Sequence, residues 1–460
     1  MATLFQRTAL AAVFALLAVN TTTSQAQAPA SPPDPAATSV EAMGWMKGFP
    51  PPPDRLITFD DPAGGVFPRT RWSFSHVRET VPTANVWRGS GAPSPLPAAP
   101  RSDLEAVAFK PLGSEETVSF GQMIPRTYTD GILVLHRGRV VYEKYFGALT
   151  PERPHIAMSV TKSFVGTLAA ILADEGRLDP SAPVTRYLPE LKDTAYGDAT
   201  VRQVMDMTIG VHYSENYADP KAEIWDYARA GGMLAQGPNY AGPKSFYEFL
   251  ATLKKEGAHD AAFAYKTVNA EVLAWILRRA SGQSLADLLS EKIWRRIGAE
   301  QDAYFMVDRI GTESGGGGLN TVLRDLARFG ETMRNGGRAP NGQQAIPKAV
   351  VDDIARGGDP ARFAKAGYAL LPGWSYRNMW WVTHNPHGAY MARGIHGQSI
   401  YVDPKAEMVI VRYAAHPVAA SAGNDPLTLP AFQAVAEALM RPRGPGWVSP
   451  VPGRSPAARP

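Results

Sequence analysis

Four residues, Ser159-Val160-Thr161-Lys162, carry the sharpest chemical signal in the chain. Residues three apart on a helix share a face one turn apart, so a helix opening here brings the Lys162 amine to the Ser159 hydroxyl. A serine hydroxyl is a poor nucleophile near neutral pH and needs a base. A lysine serves once burial or neighbouring cations lower its pKa. The helix N-terminus adds an outward backbone N–H, one half of a candidate oxyanion hole. The tetrad alone is weak evidence, because Ser and Lys are common and a chance match is expected in 460 residues.

Other chemistries find less support. The chain has no Cys, which excludes thiolate catalysis, disulfides and Cys-ligated metal. His384, His387 and His396 lack an acidic partner at helical spacing, and no His-Glu-x-x-His occurs, so neither a metal nor any other cofactor is expected. Gly315-Gly316-Gly317-Gly318 lacks the Gly-Lys-Ser/Thr sequel of a phosphate-binding loop and reads as a flexible turn. Net charge is only +4, with both signs interspersed. The pairs Arg278-Arg279 and Arg295-Arg296 sit among apolar neighbours and read as solvated helix faces, so no nucleic-acid partner is expected.

The elements that must hold the tetrad are legible. Phe164, Leu168, Ile171 and Leu172 recur with helical period, and Gly176 is placed to end that helix. Thr200 and Gln203 form a capping-box pattern ahead of Val204 and Met207. Two more helices are expected over 271–280 and 285–297, separated by Ser281-Gly282. The runs 132–136 and 139–142 flank an Arg137-Gly138 turn as a β-hairpin, and 399–402 with 408–411 form another around Asp403-Pro404-Lys405. The expected fold class is α/β of the α+β type. An antiparallel sheet is built from strands near both chain ends, with packed helices and a helical subdomain between them.

Residues 1–26 read as a secretory signal peptide. Arg7 supplies the positive region, Ala9 to Val19 the apolar stretch, and Ser24-Gln25-Ala26 a cleavage site. The expected location is therefore periplasmic or secreted, with no integral membrane span after cleavage. Residues 27–100 form a Pro-rich N-terminal extension, 101–445 the main domain, and 446–460 a disordered tail.

The stretch Ser159 to Leu191, with Glu175-Gly176-Arg177-Leu178-Asp179-Pro180 and Tyr187-Leu188-Pro189-Glu190-Leu191, resembles the serine β-lactamase-like hydrolase superfamily. This is the branch of class C β-lactamases, carboxylesterases and 6-aminohexanoate-dimer hydrolases. Phe263-Ala264-Tyr265-Lys266-Thr267-Val268-Asn269, the glycine run with Arg324-Asp325-Leu326-Ala327-Arg328-Phe329, and Gly394-Ile395-His396-Gly397-Gln398 extend the resemblance over about 131–441. It implies that Ser159 is the nucleophile, that Lys162 and Tyr265 share the proton work, and that the strand around Ile395 and His396 supplies the second oxyanion N–H and binds substrate. Gly210 to Asp219 resembles the 6-aminohexanoate-dimer hydrolases, which places Tyr217 over the acyl site.

The family's Lys-Thr-Gly strand, which holds a β-lactam carboxylate, is missing. An exported amidase or esterase acting on a small linear substrate is therefore expected, with a carboxylesterase or a D-amino-acid peptidase or β-lactamase as the alternative. A non-catalytic cell-wall-binding module is the alternative of another class. Such a module is expected to lose at least one of Ser159, Lys162 and Tyr265, and all three stand. On a regular strand Arg393 and His396 face opposite ways, so His396 is expected at the pocket and Arg393 in solvent.

Overall fold

A computed structural model describes residues 32–442 except 62 and 238. The expected signal segment 1–26 and the tail 446–460 lie outside the described residues. Among the described residues thirteen strands occur in chain order. They are β1 (Thr83–Val86), β2 (Ala108–Phe109), β3 (Val118–Ser119), β4 (Thr129–His136), β5 (Arg139–Tyr145), β6 (His155–Ile156) and β7 (Ala303–Met306), followed by β8 (Leu319–Thr321), β9 (Ser375–Arg377), β10 (Trp380–Val382), β11 (Tyr390–Gly394), β12 (Gln398–Asp403) and β13 (Met408–Ala414).

The main sheet runs β5-β4-β13-β12-β11-β10-β9, and every neighbouring pair is antiparallel. Both expected hairpins are present, as β4–β5 and β12–β13, and the β4–β13 pairing joins the two chain ends. The apolar runs Ile132 to Leu135 and Val409 to Val411 are buried throughout because helices cover both faces. Helix Leu323–Arg334 lies on one face, where Gly330 approaches Val409 and Ile400. Helix Asp425–Met440 lies on the other, with Phe432 against Tyr401 at 5.6 Å.

Helix Val160–Asp174 opens right after Ser159, as the period of Phe164, Leu168 and Ile171 requires, and Gly176 follows its end at φ 69°. It docks on the β9–β10 turn. Ser163 donates to the Met379 carbonyl at 2.8 Å, Trp380 donates to Thr167 at 3.1 Å, and Gly166 lies against the Asn378 carbonyl. A Cβ at Gly166 would sit 2.0 Å from that oxygen, and no rotamer relieves a clash with backbone. Gly166→Ala is therefore expected to lower stability by about 3 kcal/mol, although helix propensity alone favours Ala by about 1 kcal/mol. Urea denaturation measures this, and an unchanged midpoint would refute the close packing.

Thr200 and Gln203 form the expected reciprocal capping box on helix Val201–Met205. The helix expected over 271–280 runs from Thr267 to Ser281 and ends at Gly282 in the left-handed region, φ 70°. The segment 285–297 departs from expectation. An α-helix covers Leu285–Leu289 and loosens into a π-turn over Ser290–Trp294, where Ser290 donates to the Trp87 carbonyl at 2.6 Å.

The Pro-rich extension reaches into the body. β1 pairs with β7 in the sheet β1-β7-β8-β6, across the expected boundary at residue 101. The Phe74 carbonyl accepts the Ile156 N–H at 2.9 Å, three residues ahead of Ser159. Among the described residues no helix is long and apolar enough to cross a membrane.

Candidate active site

Ser159 stands at the turn from β6 into helix 160–174, in the N-cap position, and its side chain caps nothing. Met158, just before it, has a left-handed backbone at φ 48°, a conformation that costs a non-glycine residue about 1–2 kcal/mol. That turn presents the Ser159 hydroxyl to Lys162, whose Nζ donates to Oγ at 2.8 Å. Lys162 is only 1% exposed and also donates to the Gly316 carbonyl. Tyr265, just ahead of helix 267–281, stands within electrostatic reach of Ser159, and its ring centroid lies 5.2 Å from Lys162 Nζ. The structure thus gathers Ser159, Lys162 and Tyr265 in one place.

Electrostatics divide the proton work between them. Burial lowers the Lys162 ammonium to about 8, against the opposing pull of Glu215 and Glu271. Burial pushes the Tyr265 phenol well above 10. Lys162 is therefore the group that can be neutral and basic near physiological pH, while Tyr265 keeps its proton and can only donate or relay one.

The third motif differs from the regular strand expected. β11 ends at Gly394, and Ile395–Gly397 make a 3-10 turn in which His396 takes φ 61°. Gly394 has to be glycine here, since a Cβ would stand 2.9 Å from the Ala157 carbonyl and 3.1 Å from Met158 Cβ. This contact brings the chain at Ile395 beside the Ser159 turn. No acceptor in the described protein takes the backbone N–H of Ser159 or of Ile395. The His396 ring turns elsewhere, with Nδ1 at 2.7 Å from the His416 carbonyl and the ring edge-on to Phe74 at 5.3 Å. No hydrogen bond joins His396 to Ser159, Lys162 or Tyr265.

Arg393 corrects the expectation that it points into solvent. It is 6% exposed, donates to both carboxylate oxygens of Asp425 at 2.6 Å, and lies over Trp381 and Trp374 at 4.9 and 5.6 Å. Alternation does send it to the face opposite Gly394. Helix 425–440 covers that face, and a contact so distant in sequence leaves no local pattern.

Tyr217 is half-buried on the 210–219 loop, edge-on to Trp225 at 6.0 Å and within electrostatic reach of Tyr265. The same loop carries Glu215, which accepts the Thr267 N–H at the start of helix 267–281. Glu215 and Glu271 escaped the sequence reading because only the fold sets them beside Lys162.

The glycine run is a turn, as expected, but a closely packed one. Gly315 and Gly316 are buried against helix 267–281, where a Cβ on either would stand 2.5 Å from Ala274 Cβ or Thr267 Cγ2. His384 meets Ser375 Oγ at 2.7 Å and His387 meets Asp403 at 2.7 Å, so the three histidines serve separate local contacts. Arg278, expected in solvent, donates to Glu313 at 3.0 Å and is 13% exposed.

Comparison with known proteins gives the family. The Beta-lactamase family profile matches residues 126–429. A 6-aminohexanoate-dimer hydrolase of Paenarthrobacter ureafaciens is 37% identical over 351 residues, 76% of this chain and 86% of that protein. A solved structure from Bacillus anthracis, provisionally described as a 6-aminohexanoate-dimer hydrolase, superposes with TM-score 0.76 at 32% identity, covering 85% of this chain and 98% of its own. EstCE1, a hydrolase with promiscuous acyltransferase activity, shares the fold at TM-score 0.54 and 15% identity over 69% of this chain and 98% of its own. With the fold, the profile and a relative of this similarity in agreement, the chain belongs to the beta-lactamase family and is similar within it to the 6-aminohexanoate-dimer hydrolases.

Proposed function

We propose that this protein is a serine hydrolase that forms an acyl-enzyme on Ser159 and cleaves a linear amide or ester, acting outside the cytoplasm after loss of its signal-like N-terminus. The observation that carries this reading is the buried Lys162–Ser159 contact at 2.8 Å, with the lysine held near 8. Neutral Lys162 takes the Ser159 proton as Oγ bonds to the substrate carbonyl carbon. The negative charge that develops on the carbonyl oxygen falls between the N–H groups of Ser159 and Ile395. Collapse breaks the bond to the leaving amine or alcohol, which receives its proton from Lys162 through Tyr265. Tyr217 stands over the leaving group. Water, deprotonated by the same lysine, then releases the acid and restores Ser159.

A linear substrate is favoured because Arg393, the cation nearest the third motif in sequence, is buried and neutralised by both carboxylate oxygens of Asp425. A β-lactam carboxylate then lacks a charge-assisted contact worth about 1.5–3 kcal/mol, or roughly ten- to a hundredfold in rate. A panel of 6-aminohexanoate dimer, nitrophenyl esters and nitrocefin tests this. The dimer or the esters are expected to exceed nitrocefin in kcat/KM by that factor. Nitrocefin as the best substrate would overturn the assignment, the more so if Arg393→Ala abolished its hydrolysis.

A further inference from the structure

Glu271 is 2% exposed and sits on the first turns of helix 267–281, one residue type that burial penalises unless it is fully bonded. It is. Its carboxylate accepts the Tyr227 hydroxyl at 2.7 Å, the Ser314 hydroxyl at 3.0 Å, and the backbone N–H groups of Gly315 and Gly316 at 2.9 and 2.8 Å. Gly316 then turns its carbonyl to Lys162 Nζ. The loop thus touches Glu271 through its N–H groups and the lysine through its next carbonyl.

We propose that Glu271 is a positioning residue for the reaction, gripping the Ser314–Gly316 loop so that the Gly316 carbonyl aims the Lys162 amine at Ser159. The inference rests on the reading of Ser159 and Lys162 as the reactive pair. The glycines are part of the device, since a Cβ at Gly316 would meet Thr267 Cγ2 at 2.5 Å and Glu271 Oε1 at 2.9 Å. The charge has a second effect on the lysine. The groups that act on Lys162 are Glu215 from the 210–219 loop, Glu271 from helix 267–281, the Ser159 hydroxyl, the Gly316 carbonyl and the Tyr265 ring, while Tyr227 and Ser314 engage Glu271. Both carboxylates favour the ammonium, so removing either lets Lys162 lose its proton at lower pH.

The test is the rate of fluorophosphonate labelling against pH, with the labelled peptide mapped, in the full chain and in Glu271→Gln and Glu271→Asp. Labelling of the unaltered protein anywhere but Ser159 would refute the reactive pair itself, before Glu271 is tested. Given labelling at Ser159, Glu271→Gln is expected to lower the plateau rate about ten- to a hundredfold, as a displaced catalytic group does, and to move the midpoint of the pH profile downward. Glu271→Asp keeps the charge but shortens the reach, so its plateau falls while its midpoint stays. An unchanged plateau in both variants would overturn the proposal. So would a fall in Glu271→Gln with no movement of the midpoint, which is what a merely structural carboxylate gives. Should Glu271→Gln fail to fold, the Glu271→Asp plateau decides alone.

Discussion

Ser159→Ala is expected to abolish hydrolysis of every substrate the protein accepts, with a fall in kcat on the order of 10⁶, the scale seen when a serine nucleophile is removed. Among the described residues only the Ser159 hydroxyl contacts Lys162 Nζ, at 2.8 Å, so no other described serine can replace it. Stability should hardly move. The hydroxyl caps no helix N–H, and Lys162 keeps the Gly316 carbonyl as a partner, so the loss is one hydrogen bond of about 1 kcal/mol. Single-turnover assays, fluorophosphonate labelling and a thermal melt together check the variant. Labelling that survives at a different peptide would move the nucleophile elsewhere and end the assignment. A large fall in melting temperature would instead show that the serine is part of the packing.

What the sequence reveals and what it conceals follow from range. The start of helix 160–174, the capping box at Thr200 and Gln203, and both hairpins depend on neighbours a few residues apart, so periodicity and turn chemistry expose them. Ser159 and Lys162 are one helical turn apart and are legible for the same reason. Tyr265 lies too far along the chain to be placed by spacing, and only resemblance to a family pointed to it. Arg393 shows where local reasoning ends. Strand alternation assigns it a face correctly, but nothing local says that Asp425 and helix 425–440 cover that face. The glycine run fails in the same way. Four glycines suggest freedom, whereas Gly315 and Gly316 are glycine because helix 267–281 leaves no room for a Cβ. The pairing of β1 with β7 joins residues more than two hundred positions apart, within a segment whose proline content suggests a mere extension.

Lys162→Arg is expected to remove nearly all turnover, by a factor of about 10²–10⁴, the usual contribution of a positioned general base. A guanidinium keeps its proton up to a pH above about 12, so it cannot accept one from Ser159, and it is bulkier in a site where the native side chain is 1% exposed. The unaltered protein should show a matching pH signature. Below about 8 Lys162 is protonated and cannot act, so kcat/KM falls tenfold for each further pH unit; above about 8 the amine is free and the rate levels off. Tyr265, pushed well above 10, stays protonated across this range and adds no second limb near neutrality. The position of the plateau discriminates between the two candidate bases, because a tyrosine base would make the rate climb until well past pH 10. Lys162→Met extends the comparison. It removes the charge and the base together while nearly preserving volume, and it also relieves the cost of burying an ammonium, about 3 kcal/mol for a group lowered from 10.5 to about 8. Lys162→Met should therefore be as inactive as Lys162→Arg yet no less stable than the unaltered protein. Near-normal turnover in Lys162→Arg, or a wild-type rate that stays level from pH 6 to pH 9, would leave Lys162 a structural cation and transfer the role of base to another group.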